Sequence, residues 1–186
     1  MFDKEISFTG KHADYLRRLA PSKQYTVKDA FDRSRCFQSN IDVVLAAAIV
    51  GFIKGRKAAR DATVNVADNR IHLEALINNK ESLELVYRII MLLDRKDDLP
   101  INARIDKAFR YDNNLEKRAD GDKVFWEYVR GGIEYLYETL LADSENSNTD
   151  VQNMMEFVED YKQCYYEADM LNKIYELCKG GIADHK

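Results

Sequence analysis

The side chains in this 186-residue sequence that could ligate a metal or attack a substrate stand at spacings that bring none of them together. The three histidines, His12, His72 and His185, lie far apart. None stands at the three- or four-residue interval that sets two ligands on one helix face. Cys164 and Cys178 are fourteen residues apart and can share a helical stripe, but there is no Cys-x-x-Cys pair and no neighbouring histidine to complete a zinc site. The chain has neither a Gly-x-x-x-x-Gly-Lys-Ser/Thr phosphate loop nor a Gly-x-Ser-x-Gly elbow. Asp94, Asp97 and Asp98, beside Arg95 and Lys96, hold the ingredients of a Mg²⁺-dependent nuclease. They fall at a helix end just before Pro100, where solvated charges are ordinary. The sequence therefore predicts no catalytic residue, no metal site and no cofactor, and a protein that is not an enzyme.

Charge gives a second kind of candidate. Residues 1–70 carry 13 Lys/Arg against 8 Asp/Glu, and residues 71–186 carry 15 against 24. The front is thus basic (+5) and the rear acidic (−9). Arg17, Arg18, Lys54, Arg56, Lys57 and Arg60 form the basic set best placed to meet a nucleic-acid backbone, because phosphates need only such charges. They share a surface if the first helix lies beside the central one. The competing reading is a solvated rim whose acidic partners come from the rear half.

The last helix carries a third. Val151, Met154, Val158, Tyr161 and Tyr165 recur at steps of three and four, continued by Leu171, Ile174, Tyr175 and Cys178. This is a heptad-like seam too short for a confident coiled coil. Residues 138–169 hold nine Asp/Glu against Lys162 alone. Tyr161, Tyr165 and Tyr175 are interface candidates, since tyrosine joins an apolar body to a polar tip. The seam serves either its own domain, a partner protein or a second copy.

The elements that must position these groups read as mainly helical. Only eight glycines and two prolines are present, too few for the turns of a β-sandwich. Residues 2–8 read as a short extended arm. Thr9 or Gly10 opens a helix with Ala13, Leu16, Leu19 and Ala20 on one face, and Pro21 ends it. Thr26 caps a short helix near 27–34. Asn40 caps the most apolar segment, Ile41 to Ile53, whose Ala46-Ala47-Ala48 interior is small on nearly every side; a helix apolar all round is a buried one. Gly55 is placed as its left-handed C-terminal residue and Lys54, Arg56 and Lys57 complement its dipole. The alternation over 62–77 fits a small β-hairpin, with a short helix over 71–78 as the rival.

Further along, Glu81 to Arg95 carries Leu83, Val86, Ile89, Ile90 and Leu93 at helical spacing. Pro100 opens a helix with Ile101, Ile105, Ala108 and Phe109 on its face. Asp122 caps one from Lys123 to Leu141, interrupted by Gly131-Gly132. Each of these glycines costs roughly 1 kcal/mol relative to alanine in a helix. Close packing of the pair against the Ala46–Ala48 helix would account for their presence. Polar residues 143–150 form a loop, and a long C-terminal helix spans 149–179. Length and composition predict one compact domain over 1–186, built round the buried 41–53 helix. The odd cysteine count, the absence of an apolar leader and a longest uncharged run of only Val43 to Ile53 predict a cytoplasmic protein with no membrane partner.

Two stretches carry a family resemblance. Phe37, then Asp42-Val43-Val44-Leu45-Ala46-Ala47-Ala48-Ile49-Val50-Gly51-Phe52 with Gly55-Arg56-Lys57, resembles the apolar helix with a basic tail in the DNA phosphorothioation-associated accessory proteins of bacterial Dnd systems. Phe125-Trp126-Glu127-Tyr128-Val129-Arg130-Gly131-Gly132-Ile133 is similar to that family's aromatic and diglycine segment. The resemblance implies a small non-enzymatic accessory or adaptor subunit of a DNA-modification or phage-defence system that engages protein partners or itself. The alternative is a nucleic-acid-binding module using the basic N-terminal third. No functional residue carries over from the resemblance.

Overall fold

The structure is a computed structural model; it describes residues 2–20, 36–63, 66–94, 99–143 and 146–166, with side chains through residue 163. The elements run β1 (Ile6–Phe8), α1 (Gly10–Leu19), α2 (Asn40–Ile53), β2 (Asn69–Ile71), α3 (Leu73–Asn78), α4 (Lys80–Leu93), α5 (Ile101–Ile105), a π-helical turn Asp106–Arg110, α6 (Leu115–Leu140) and α7 (Ser147–Tyr166). The fold is mainly α, as the sequence predicts. The predicted 27–34 helix, residues 167–179 of the last helix, Asp97 and Asp98, and the side chains of Tyr165 and Tyr175 lie outside the described residues.

Helix α2 is the centre of the packing. Its cap is Ser39 rather than Asn40: the Ser39 hydroxyl accepts from Asp42 N at 3.4 Å while the Asp42 carboxylate accepts from Ser39 N at 3.0 Å. This reciprocal box satisfies two otherwise orphaned donors. Ile41, Val43, Val44, Ala47, Ala48, Val50 and Gly51 are buried. Ile49 and Ile53 are each 44% exposed, so the helix is central but not enclosed on every side. Gly55 terminates it at φ +64°. There Gly55 N donates to Phe52 O and Arg56 N to Gly51 O, at 3.0 and 2.8 Å, the paired bonds of a Schellman turn.

Helix α6 lies directly on α2. A Cβ built on Gly132 would overlap the Ala47 carbonyl, one on Gly51 the Tyr128 carbonyl, and one on Gly131 the Arg56 carbonyl. The two backbones touch at the alanine and diglycine stretches, as predicted. The helix is longer than predicted and runs unbroken through the glycines from Leu115. Its cap is Asn114, whose side chain accepts from Lys117 N at 3.0 Å. Asp122 instead bonds Arg118 at 3.0 Å, and Arg118 in turn donates to Asp112 O at 2.9 Å. That tie keeps the polar first turns helical.

The sheet is not a local hairpin. β2 pairs antiparallel with the N-terminal arm, Ile6 opposite Ile71 and Phe8 opposite Asn69, while the rival short helix forms as α3. On α4, Leu83, Val86 and Ile90 face the core with Tyr87 and Met91, whereas Ile89 and Leu93 face outward. Of the face predicted after Pro100 only Ala108 is buried, in the π-helical turn. Ile101 and Phe109 are exposed.

Candidate functional site

The basic residues predicted from the sequence divide into two groups. The Schellman turn throws Arg56 and Lys57 back along α6. Arg56 meets the Glu138 carboxylate with both terminal nitrogens, at 2.5 and 3.1 Å. That fork-to-fork bond raises the guanidinium's pKa further. Lys57 pairs with Asp94 at 3.1 Å and lies over the Tyr128 ring at 4.6 Å. Asp94, the described member of the acidic cluster, is thus half of a structural ion pair. Lys54 sits over the rings of Tyr135 and Tyr161, at 5.3 and 5.6 Å. On α1, Arg18 pairs with Asp14 at 3.0 Å and reaches the Tyr137 ring, while Arg17 donates to the Ala67 carbonyl. Arg18, Lys54 and Arg56 do converge on one stretch of α6, residues 135–138, where Tyr135, Tyr137 and Glu138 engage them; Arg17 and Lys57 turn to other groups.

Arg60 goes elsewhere. After Gly55 the chain is stapled onto α6 and α1. Ala58 N donates to Glu127 O at 3.0 Å, Arg130 Nε donates to Ala58 O at 2.9 Å, and Lys11 N donates to the Asp61 carboxylate at 2.7 Å. Backbone N–H groups of Lys11 and Thr63, with the Thr63 hydroxyl, hold the Asp61 carboxyl down to about 2. The Thr9 hydroxyl donates to Asp61 O. These bonds fix the loop that carries Arg60, whose Nε reaches Thr9 Oγ1 at 3.4 Å.

Arg60 there lines a cleft of about 430 Å³ between β1, α1 and α6, with Phe8, His12, Lys123, Trp126 and Arg130. Lys123, Trp126, Arg130 and Glu134 follow one another along a single face of α6, at steps of three and four. Burial lowers the Arg130 pKa; Glu127 works against this and the neighbouring positive charge of Arg60 adds to it. Among the described residues no ion pair joins Arg60, Lys123 or Arg130 to a carboxylate.

At the inner end His12 is fully buried and its Nε2 meets Glu134 Oε1 at 2.8 Å. Burial lowers the imidazole's pKa more strongly than the Glu134 bond raises it, so the ring is neutral at pH 7 and donates from Nε2. Burial alone would push the Glu134 carboxyl up. Hydrogen bonds from Lys11, at 3.0 Å, and from His12 outweigh it, and the net shift is downward.

The third predicted set sits on α7. The inward stripe there is Met154, Phe157 and Tyr161, with Asp150 buried at its start. Val151 and Val158, predicted on the seam, are 44% and 51% exposed and line up with Met155, at 68%. The seam is therefore rotated by part of a turn and an outer apolar stripe is left uncovered by the described residues. Tyr161 is an inward residue, packed on Phe157 at 4.8 Å and on Lys54.

Cys36 is a free thiol that burial pushes up to about 11. Among the described residues no group of three His, Cys, Asp or Glu side chains is arranged to hold a metal, and no helix is long and apolar enough to cross a membrane. The cleft was not predicted as a unit. Its signal was the Lys123-x-x-Trp126-x-x-x-Arg130 spacing, one helical face bearing two cations and an indole.

A model of the family described as DNA sulphur modification system-associated protein 4 matches residues 18–172, in accord with the resemblance carried by the 42–57 and 125–133 stretches. No curated protein and no solved structure matches the chain.

Proposed function

Because the chain belongs to the family of DNA sulphur modification system-associated protein 4, we propose that it is a non-enzymatic accessory subunit of a DNA-modification or phage-defence system, acting in the cytoplasm as an adaptor that docks a protein partner on α7. The observation that supports this reading is the outer stripe of Val151, Met155 and Val158, large apolar side chains left 44–68% exposed in a row. Single exposed apolar residues are ordinary, but a continuous row on one helix marks an interaction surface. Glu159 flanks the stripe, and Lys162, which continues it by one turn, pairs with Glu159 at 3.8 Å. A partner with a complementary apolar face covers the stripe.

The test is co-purification of the full-length chain with the other proteins of its modification system, produced together. Replacing Met155 and Val158 by Lys should cut partner recovery at least tenfold, by placing cations in a desolvated contact. Ile77→Lys, on an exposed position of α3, should leave it intact. Unchanged recovery with the Met155/Val158 pair replaced, in a protein of native helicity, removes α7 as the docking surface.

A further inference from the structure

We propose that the cleft between β1, α1 and α6 is a nucleotide site, with the phosphate held by Arg60, Lys123 and Arg130 and the base set against Trp126. The first argument is a contrast in pairing. Arg18, Arg56, Lys57, Arg88, Arg110 and Arg118 each meet a carboxylate. Among the described residues the three cations that line the cleft meet none at ion-pair distance; Arg60 and Lys123 are exposed, and Arg130 feels the charge of Glu127 more than that of Arg60. An oxyanion entering the cleft is therefore met by three cations whose donors are not taken up by a carboxylate. Two guanidinium forks and one ammonium are the donor set that suits phosphate.

The second argument is size and lining. At about 430 Å³ the cleft is of the scale that holds small organic ligands, roughly 300–1,000 Å³, and is far larger than a bare phosphate requires. Its remaining wall combines the rings of Phe8, His12 and Trp126 with Ile6 and the polar Ser7 and Thr9. Trp126 is half-buried and held edge-to-face by Phe8 and Phe2, each with ring centroids 6.1 Å away. A fixed indole beside cations is the combination on which nucleobases stack. Glu5, the carboxylate at the rim, is turned to His72 at 3.4 Å.

The third argument is the construction of the loop that brings Arg60. Asp61 binds two backbone donors, Ala58 N binds Glu127 O and Arg130 binds Ala58 O. The segment 58–63 is thereby locked onto the same helix that supplies the other two cations. The backbone that carries Arg60 is set before any ligand arrives, which lowers the entropic cost of binding.

Trp126 is the single tryptophan of the chain, so its fluorescence reads this cleft alone. The full-length protein is titrated at low salt with dAMP, with inorganic phosphate and with single-stranded oligothymidylate. A saturable change with dAMP or the strand is expected, with an affinity that falls as salt rises. Arg60→Ala and Lys123→Ala should each weaken it by about tenfold or more, the loss typical of a charge-assisted hydrogen bond, with the helical circular dichroism unchanged. Tighter binding of dAMP supports a free nucleotide as ligand, and tighter binding of the strand supports a nucleotide within DNA. Inorganic phosphate alone matching dAMP overturns the base contact. No saturable signal from dAMP or the strand, or affinities untouched by both substitutions, overturns the site. The α7 substitutions should leave every titration unchanged, so the docking reading and this one fail separately.

Discussion

Helix α6 presents two faces of opposite character. The face bearing Tyr128, Gly131 and Gly132 is closed: α2 and the turn after it lie so near that no side chain fits at the glycines. The cations arriving there, Arg56 and Lys57, are matched by Glu138 and Asp94. The face bearing Lys123, Trp126 and Arg130 is open, and among the described residues its cations meet no carboxylate at ion-pair distance. Cations gather at both faces. What separates them is whether the charge is already used inside the molecule, and a count of Lys and Arg along the chain does not see that difference.

The closed face gives the largest expected effect. Gly132→Ala places a methyl on the Ala47 carbonyl and close to the Ala47 Cα, at 2.8 Å. Backbone on both sides leaves no flexible group to yield. A destabilisation of about 3 kcal/mol or more is expected, at the upper end for overpacking and despite alanine's better helix propensity; urea unfolding measures it. A variant as stable as the parent would mean that the two helices are not in backbone contact.

Lys57→Ala comes next. It strips a side-chain partner from Asp94, whose carboxylate is only 10% exposed, and should cost about 1–2 kcal/mol in the same assay. Lys123→Ala, the open-face counterpart, should change stability by less than about 0.5 kcal/mol, because no carboxylate loses a partner. Equal costs for the two substitutions would erase the distinction between the faces.

A pH dependence lies between them in size. The pKa of His12 is lower in the folded protein than its ordinary value, so the unfolded chain binds the proton more readily. Stability is therefore complete above the unfolded value of about 6.5 and declines as pH falls through it. The charged groups acting on the ring are Glu134 and Arg130 from α6 and Lys11 from its own helix, and Asp61 from the loop after α2 also interacts with it. A melting temperature some few degrees lower at pH 5 than at pH 7.5 is expected, and His12→Gln should flatten that slope. The lowered carboxyls act in a more acid window. Glu134 contributes stability that is lost as pH falls below its ordinary range, and Asp61 contributes until about 2.

The closed face was legible in the sequence and the open one was not. Three consecutive alanines and two consecutive glycines each carry a signature of close approach, and Gly55 after an apolar run signals a left-handed stop. Those are local facts, readable within a few residues. The pairing of β1 with β2 joins positions 61 to 65 residues apart, and nothing in the alternation of 62–77 names the arm as partner. Arg60 was read with Lys54, Arg56 and Lys57 because they are neighbours in sequence. The Schellman turn and the Asp61 bonds then send it to a different face. Of the expected α7 seam, Met154 and Tyr161 face inward while Val151 and Val158 face out, because both stripes, 150-154-157-161 and 151-155-158, follow helical spacing. Burial of Asp150 decides between them, and a charged residue facing inward is not a choice that periodicity favours.

One comparison bears most directly on the two faces. Calorimetric titration of dAMP is run on the parent, on Arg60→Ala/Lys123→Ala and on Arg56→Ala/Lys57→Ala. Affinity should collapse in the first pair and survive in the second, since only the first removes charge left unmatched by the fold. Loss of binding in the Arg56/Lys57 pair with retention in the Arg60/Lys123 pair would contradict the account.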